Sequence, residues 1–229
     1  MKALVVGIPR SGSTLLCRMI NSVENCICLS EPHLEALSLR TYRTLRDQKV
    51  SDLELEMFAD HEMPLDVAMS KLEEIFEVAA FKETFRPEPF REWGLFNGDL
   101  LNTYKNNNYK IIGIVRSPLK NFNSWKSQGW GNWTHDVDVF IESYRSILQF
   151  CGDAVIRYED LIASPALVMK TLDMNFSKLK PMEAEFGDIE ALQSSSVRRE
   201  KENKSVVSTQ DISAIERSGL MELYDSLQP

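Results

Sequence analysis

Residues 1–14 read MKALVVGIPRSGST, an apolar run that breaks at Gly7 into a polar loop. After the loop, apolar residues return at helical spacing, at Leu15, Leu16, Met19 and Ile20. An apolar run that ends at glycine and resumes with helical periodicity predicts a strand, a tight turn and a helix. Free N–H groups and the positive end of the helix dipole converge at such a turn, so the stretch predicts an anion-binding loop.

The loop almost fits the nucleotide-binding pattern G-x-x-x-x-G-K-[ST]. Gly7 and Gly12 have the required spacing and Thr14 fills the last position, but Ser13 stands where the pattern has lysine. Because that lysine reaches the β- and γ-phosphates of ATP and GTP, a P-loop kinase or NTPase is only the alternative interpretation. Arg10 supplies a cation inside the loop instead, and its planar guanidinium can hold two oxygens of a phosphate or a sulfate.

The composition limits the fold and the partners. A chain of 229 residues, 43% of them hydrophobic, can bury a sizeable core, and its net charge of −8 argues against nucleic acid or an anionic membrane as main partner. No run of about 18 apolar residues exists and the first strand begins at once, so we expect no membrane span, no signal peptide and a cytoplasmic location. The four cysteines lack metal-ligand spacing, which predicts buried thiols and no metal. The oligomeric state stays open.

Short apolar runs alternate with helical patterns along the chain. The predicted strands are Ala3–Val6, Cys26–Ser30, Ala79–Phe85, Tyr109–Val115 and Ala154–Tyr158. This alternation predicts a P-loop-like, three-layer α/β/α fold with a central parallel sheet of about five strands. We expect residues 1–229 to form a single domain, with a helical insertion at about 33–80 as a lid or acceptor-side wall. A closing helix is predicted from about Thr209 to Leu227.

The loop resembles a known family. Pro9-Arg10-Ser11-Gly12-Ser13-Thr14-Leu15-Leu16 is similar to the 5′-phosphosulfate loop, P-[KR]-[ST]-G-[ST]-[ST]-x-L, of sulfotransferases that use 3′-phosphoadenosine 5′-phosphosulfate (PAPS). The resemblance implies PAPS as cosubstrate and a loop that binds its phosphosulfate. The implied binding residues are Arg10, Ser11, Gly12, Ser13 and Thr14, and Arg10 is also a candidate catalytic residue.

A second segment resembles the family's 3′-phosphate site. In Ile114-Val115-Arg116-Ser117-Pro118, an arginine ends a strand, and Ser124 follows eight residues after it. The resemblance implies that Arg116 and Ser124 hold the phosphate that distinguishes PAPS from ATP. Taken alone, an arginine at a strand end could equally pair with carboxylates.

A third segment, Val155-Ile156-Arg157-Tyr158-Glu159-Asp160-Leu161, is similar to the family's [RF]-Y-E-D-L. The resemblance implies that Tyr158 lies against the adenine ring, which suits an aromatic side chain. Arg157, Glu159 and Asp160 could brace the same loop by ion pairs. The three segments follow one another in the family's order.

The candidate base follows the second predicted strand. Glu31 precedes Pro32, which favours an extended conformation at a strand end, and Ser30-Glu31-Pro32-His33 resembles bacterial carbohydrate and tyrosylprotein sulfotransferases, where a glutamate takes the acceptor's proton. His33 is the rival base. Lys82 lies in an otherwise apolar strand, where a buried amine needs a partner or a function, so it is a candidate catalytic assistant.

The resemblance implies transfer of a sulfuryl group from PAPS to a hydroxyl of a small-molecule or carbohydrate acceptor, without a metal. Acidic residues in the segment 33–80 argue against a polyanionic acceptor. The chain departs from the family in lacking the glycine of a C-terminal R-K-G segment. Arg198, Arg199 and Lys201 could replace that segment, or they could form an exposed charged loop.

Overall fold

The computed structural model describes residues 1–21, 23, 25–30, 64–85, 98–127, 135–164 and 207–227. Its strands are β1 (Lys2–Gly7), β2 (Cys26–Ser30), β3 (Val78–Thr84), β4 (Lys110–Val115) and β5 (Val155–Arg157). They form one parallel sheet in the order β2-β3-β1-β4-β5. The predicted five-stranded parallel sheet and α/β/α class are therefore confirmed.

Helices separate the strands along the chain. They are α1 (Ser13–Asn21), α2 (Leu65–Ile75), α3 (Gly98–Asn106), α4 (Pro118–Lys126), α5 (Val137–Cys151), α6 (Tyr158–Ala163), α7 (Thr209–Arg217) and α8 (Leu220–Ser226). None of the helices in the described ranges is long and apolar enough to cross a membrane.

Two boundaries differ from the sequence prediction. Tyr158 begins α6 and does not end β5, because Glu159 and Asp160 place two carboxylates in the first turn, where the helix dipole favours negative charge. The predicted closing helix is two helices, since Gly219 adopts a left-handed φ of 74° between α7 and α8. Such a conformation ends helices, and glycine adopts it without a steric cost.

The chain forms two compact units, one containing Met1–Gly7 and Ser13–Gly113 and the other Ile8–Gly12 and Ile114–Pro229. Whether residues 1–229 act as one domain stays a prediction, as does a lid role for residues 33–80. The described part of that segment contains α2 and, at its end, the first residues of β3.

The first unit is built around β1, which pairs with β3 on one side and β4 on the other. A strand with two parallel neighbours and covered faces needs apolar residues throughout. Leu4, Val5 and Val6 accordingly have no exposed surface. The amide of Asn21, at the end of α1, bonds both the N–H and the carbonyl oxygen of Cys28 in β2, which fixes helix to strand.

The second unit has an aromatic core between α4 and α5. The ring centroid of Phe140 lies 4.9 Å from that of Phe122 and 5.2 Å from that of Trp125. Helices α7 and α8 pack on α4 and α5. A capping box of Ser208 and Asp211 begins α7, and the same Asp211 accepts from the Lys126 ammonium of α4 at 2.8 Å.

The four cysteines are Cys17, Cys26, Cys28 and Cys151, and all are buried free thiols, as the sequence predicts. Burial raises the pKa of Cys26 to about 11, with the Glu77 carboxylate adding to the effect. The Cys26 thiol is therefore protonated at neutral pH, and all four cysteine side chains contribute to packing.

Candidate active site

The loop Ile8–Gly12, here called the Arg10 loop, belongs to the second unit. The Ser11 N–H closes a tight turn on the Ile8 carbonyl oxygen at 3.2 Å. Arg10 has a φ of 68° and Gly12 a φ of 100°, with Ser11 between them outside the left-handed region. A loop in which left-handed and other residues alternate turns successive N–H groups to one side, which forms an anion-binding concavity.

Helix α4 holds this loop at two points. The Nε of Arg10 donates to the Ser124 hydroxyl at 3.1 Å, and the buried amide of Asn121 donates to the Pro9 carbonyl oxygen at 2.9 Å. Asn121 and Ser124 are three residues apart, so they share one face of α4. The structure thus brings together two predicted site residues, Arg10 and Ser124, that lie 114 positions apart in the sequence.

Tyr158 contacts two further predicted residues. The Arg116 guanidinium carbon lies 4.9 Å from the centroid of its ring, a cation–π arrangement. Gly12 packs against the same ring, and a Cβ built on Gly12 would stand 2.2 Å from Cδ2 of Tyr158. Arg116 itself is 9% exposed. The three segments that contain Gly12, Arg116 and Tyr158 therefore meet at the Tyr158 ring.

The other charged residues of the third segment act locally. Arg157 bonds Asp160 through both Nε and Nη2, at 2.5 and 2.9 Å. This hydrogen bond, with the charge of Asp160, raises the pKa of Arg157. Glu159 instead accepts from the Ser117 N–H and from the Tyr224 hydroxyl of α8. The bracing ion pair considered from the sequence exists, but Glu159 has a different role.

Lys82 lies in the first unit, near the carboxyl end of β3. It is 4% exposed, and its backbone is in register with Val5 of β1 and Ser30 of β2. The next residue, Glu83, is fully buried and accepts from the Tyr104 hydroxyl at 2.9 Å. Burial and the neighbouring Glu83 charge raise the pKa of Tyr104, so its hydroxyl remains a donor.

The loop and helix residues differ in exposure. Ser11 is fully buried and Ser13 is 6% exposed, whereas Arg10 and Thr14 are exposed. Ser13 and Thr14 are the first residues of α1. The Ser11 hydroxyl is buried and has no hydrogen-bond partner among the described residues.

Several sequence predictions fall outside the described residues. These are Glu31, His33, Arg198, Arg199 and Lys201. His135 is exposed. Among the described residues, no group of three histidine, cysteine, aspartate or glutamate side chains could hold a metal ion.

Sequence reasoning missed Asn121, Tyr144, Tyr224 and the bonded pair Glu83–Tyr104. Asn121 carried a usable signal, because it lies three residues after Pro118 and four before Trp125, on the buried stripe of α4, where an amide is unusual. The tyrosines carried none, since a buried tyrosine in a helix has the same pattern as any core residue.

Comparison with known proteins identifies the family of the chain. A family model described as the sulfotransferase family matches residues 3–173, more than half of the chain. Among solved structures, a sulfotransferase domain from the olefin synthase of Synechococcus PCC 7002 is similar, with a TM-score of 0.51 and 20% sequence identity over 75% of this chain and 70% of that one. At this identity the likeness concerns the fold. No curated protein matches the sequence significantly. By the family match, the chain belongs to the sulfotransferase family.

Proposed function

We propose that this chain transfers the sulfuryl group of PAPS to a hydroxyl group of a small-molecule or carbohydrate acceptor. The observation that carries the proposal is the meeting of three segments at one place. Arg10 is bonded to Ser124, while Gly12 and Arg116 both contact Tyr158. These are the residues that the resemblance assigns to the phosphosulfate, the 3′-phosphate and the adenine.

In the proposed reaction the acceptor oxygen attacks sulfur in line with the bond to the bridging oxygen of the phosphosulfate. The sulfur–oxygen bond to the acceptor forms as the bridging bond breaks, and adenosine 3′,5′-bisphosphate leaves with the electron pair. The acceptor's proton passes to a base, for which we propose Glu31, with His33 as the rival.

The Arg10 loop would stabilise the charge that gathers on the bridging oxygen. Its guanidinium and the main-chain N–H groups that lead into α1 are fixed donors, and donors already in place cost no reorganisation during the reaction. The hydrogen bond from Nε to Ser124 restricts the guanidinium to one side of the loop. We propose that Ser13 and Thr14, at the start of α1, bind the same group, and that Lys82 assists.

Arg116 would bind the 3′-phosphate through its planar guanidinium, which suits two phosphate oxygens. Its guanidinium lies over the Tyr158 ring, so a cation and an aromatic group are in direct contact. A nucleotide that carries both a 3′-phosphate and a base matches that pair of groups better than ATP does.

The test is transfer from sulfur-labelled PAPS to a panel of neutral, cationic and polyanionic hydroxyl compounds. We expect labelled product with a neutral or cationic acceptor, with turnover at least about a hundredfold lower in Arg10→Ala. Arg18→Ala is the matched control, because Arg18 is an exposed arginine on α1. Product that requires ATP and Mg²⁺ instead of PAPS would show a kinase, and equal turnover in Glu31→Gln would reject Glu31 as the base.

A further inference from the structure

The peptide group between Arg116 and Ser117 is held on both of its sides by side chains. Its carbonyl oxygen, from Arg116, accepts from the Tyr144 hydroxyl at 2.8 Å. Its N–H, from Ser117, points between the two carboxylate oxygens of Glu159, at 3.4 Å from each. The orientation of this one peptide plane is therefore determined by two side chains from different helices.

This peptide lies where regular structure does not fix it. Strand β4 ends at Val115 and helix α4 begins at Pro118, so the Arg116–Ser117 peptide is outside both hydrogen-bonding patterns. Ser117 is the N-cap of α4, yet its side chain makes no capping bond, and Pro118 has no N–H to contribute. The bonds from Tyr144 and to Glu159 therefore restrict ψ of Arg116 and φ of Ser117, and so hold the main chain from which the Arg116 side chain projects.

Helix α6 contacts both the guanidinium of Arg116 and the peptide group that follows it. Its first residue, Tyr158, lies under the guanidinium, and its second residue, Glu159, holds the peptide that follows the Arg116 Cα. Glu159 is held in turn by the Tyr224 hydroxyl of α8. Tyr144 is fully buried on α5, and burial, together with the charge of Glu159, raises the pKa of Tyr144, so this hydroxyl stays a donor.

We propose that Tyr144 and Glu159, with Tyr224 behind Glu159, are positioning residues that aim Arg116 at the 3′-phosphate of the nucleotide. The inference rests on the proposed function. A guanidinium discriminates between ligands only when the orientation of its planar group is held within narrow limits. Supporting hydrogen bonds supply that restriction. Selectivity for a 3′-phosphate thus depends on α5, α6 and α8, not on Arg116 alone.

The variants follow from this contact scheme. Tyr144→Phe removes the donor to the Arg116 carbonyl oxygen, and Glu159→Met removes the acceptor of the Ser117 N–H while keeping the length of the side chain. Glu159→Gln keeps one acceptor oxygen and should therefore keep most of the preference for a nucleotide with a 3′-phosphate. Tyr224→Phe removes only the bond from Tyr224 to Glu159 and is the mildest change, to be used if Tyr144→Phe or Glu159→Met does not fold.

Tyr109→Phe is the matched control, because it also breaks a tyrosine–glutamate bond, to Glu73, in the first unit.

The measurement is the ratio of two calorimetric dissociation constants, that of AMP divided by that of adenosine 3′,5′-bisphosphate. We expect Tyr144→Phe and Glu159→Met to lower this ratio about tenfold while the AMP constant stays within about twofold, the size of one charge-assisted hydrogen bond. Tyr224→Phe should lower the ratio less, and Glu159→Gln and Tyr109→Phe should keep most of it.

The outcomes separate the inference from the function on which it rests. A wild-type protein that binds the two nucleotides equally would overturn both. A selective wild type whose variants keep their ratio, or lose affinity for both nucleotides alike, would show that Tyr144 and Glu159 are structural residues only.

Discussion

The ring of Tyr158 lies so close to Gly12 that no side chain fits between them: a Cβ on Gly12 would stand 2.2 Å from Cδ2 and 2.9 Å from Cε2 of the ring. Gly12 also has a φ of 100°, which residues with a side chain rarely adopt. Only glycine at position 12 therefore leaves room for the Tyr158 ring in its observed position.

We predict that Gly12→Ala both destabilises the protein and abolishes nucleotide binding, because the Tyr158 ring must move away from residue 12 and its contact with Arg116 must change. In the double variant Gly12→Ala/Tyr158→Ala, the clash with the ring is gone and only the backbone strain at residue 12 should lower the free energy of unfolding. The effects of the two substitutions on that free energy should therefore be non-additive by about 1–3 kcal/mol. Urea unfolding of the four members of the cycle measures this.

Gly152→Ala is the control, because Gly152 has a φ of 55° but no atom within 4 Å of its built Cβ. Gly152→Ala should lower the free energy of unfolding through backbone strain, without weakening nucleotide binding. Additive effects of Gly12→Ala and Tyr158→Ala would mean that the two residues do not constrain each other.

Arg10 is a left-handed residue with a long side chain, a conformation that costs non-glycine residues about 1 kcal/mol. Arg10→Gly and Arg10→Ala both remove the guanidinium, so both should be inactive. The glycine variant should be more stable than the alanine variant by about 1 kcal/mol, because glycine adopts this φ freely. Thermal unfolding and turnover of the pair test this, and equal stability would show that the loop relaxes in the variants.

Asn121 ties the Arg10 loop to α4 by its bond to the Pro9 carbonyl oxygen. We predict that Asn121→Leu costs about 1–3 kcal/mol, since a buried carbonyl oxygen loses its donor, and that PAPS is bound more weakly. Asn107→Leu is the control: the Asn107 amide also donates to a backbone carbonyl oxygen, that of Thr103 at 2.9 Å, in the first unit. The prediction fails if both variants change PAPS affinity equally.

Acid should weaken the contact between α4 and α7. Burial alone would raise the pKa of Asp211, but hydrogen bonds from Lys126 and Ser208 hold it below the ordinary 3.8. A lowered pKa stabilises the folded state above the unfolded-state pKa, and this contribution is lost as pH falls through the folded-state pKa. The wild-type protein should therefore be more stable than Asp211→Asn at neutral pH and should lose this difference in stability below about pH 4. Melting curves between neutral and acid pH check this, and a constant difference would contradict it.

How far the sequence predicts the structure depends on how local each feature is. The strands and the Arg10 loop follow from runs of a few residues, in which apolar periodicity and glycine spacing carry the signal. The contact of Gly12 with Tyr158 joins residues far apart in the chain, and no local pattern encodes it.

Two errors at element ends have local causes that were available in the sequence. The acidic pair Glu159–Asp160 favours a helix start at Tyr158, and Gly219 after Ser218 is a usual helix end. The bonds of Tyr144 and Tyr224, by contrast, depend on how α5, α6 and α8 pack, which periodicity does not give.

The proposed function requires that Arg116 recognises the 3′-phosphate. Calorimetric titration of the wild-type protein with adenosine 3′,5′-bisphosphate, AMP and Mg²⁺–ATP measures this directly. We predict that the bisphosphate binds at least about a hundredfold more tightly than AMP, as two charge-assisted hydrogen bonds would give, and more tightly than ATP. Equal binding of the bisphosphate and AMP, or a preference for Mg²⁺–ATP, would contradict the proposal.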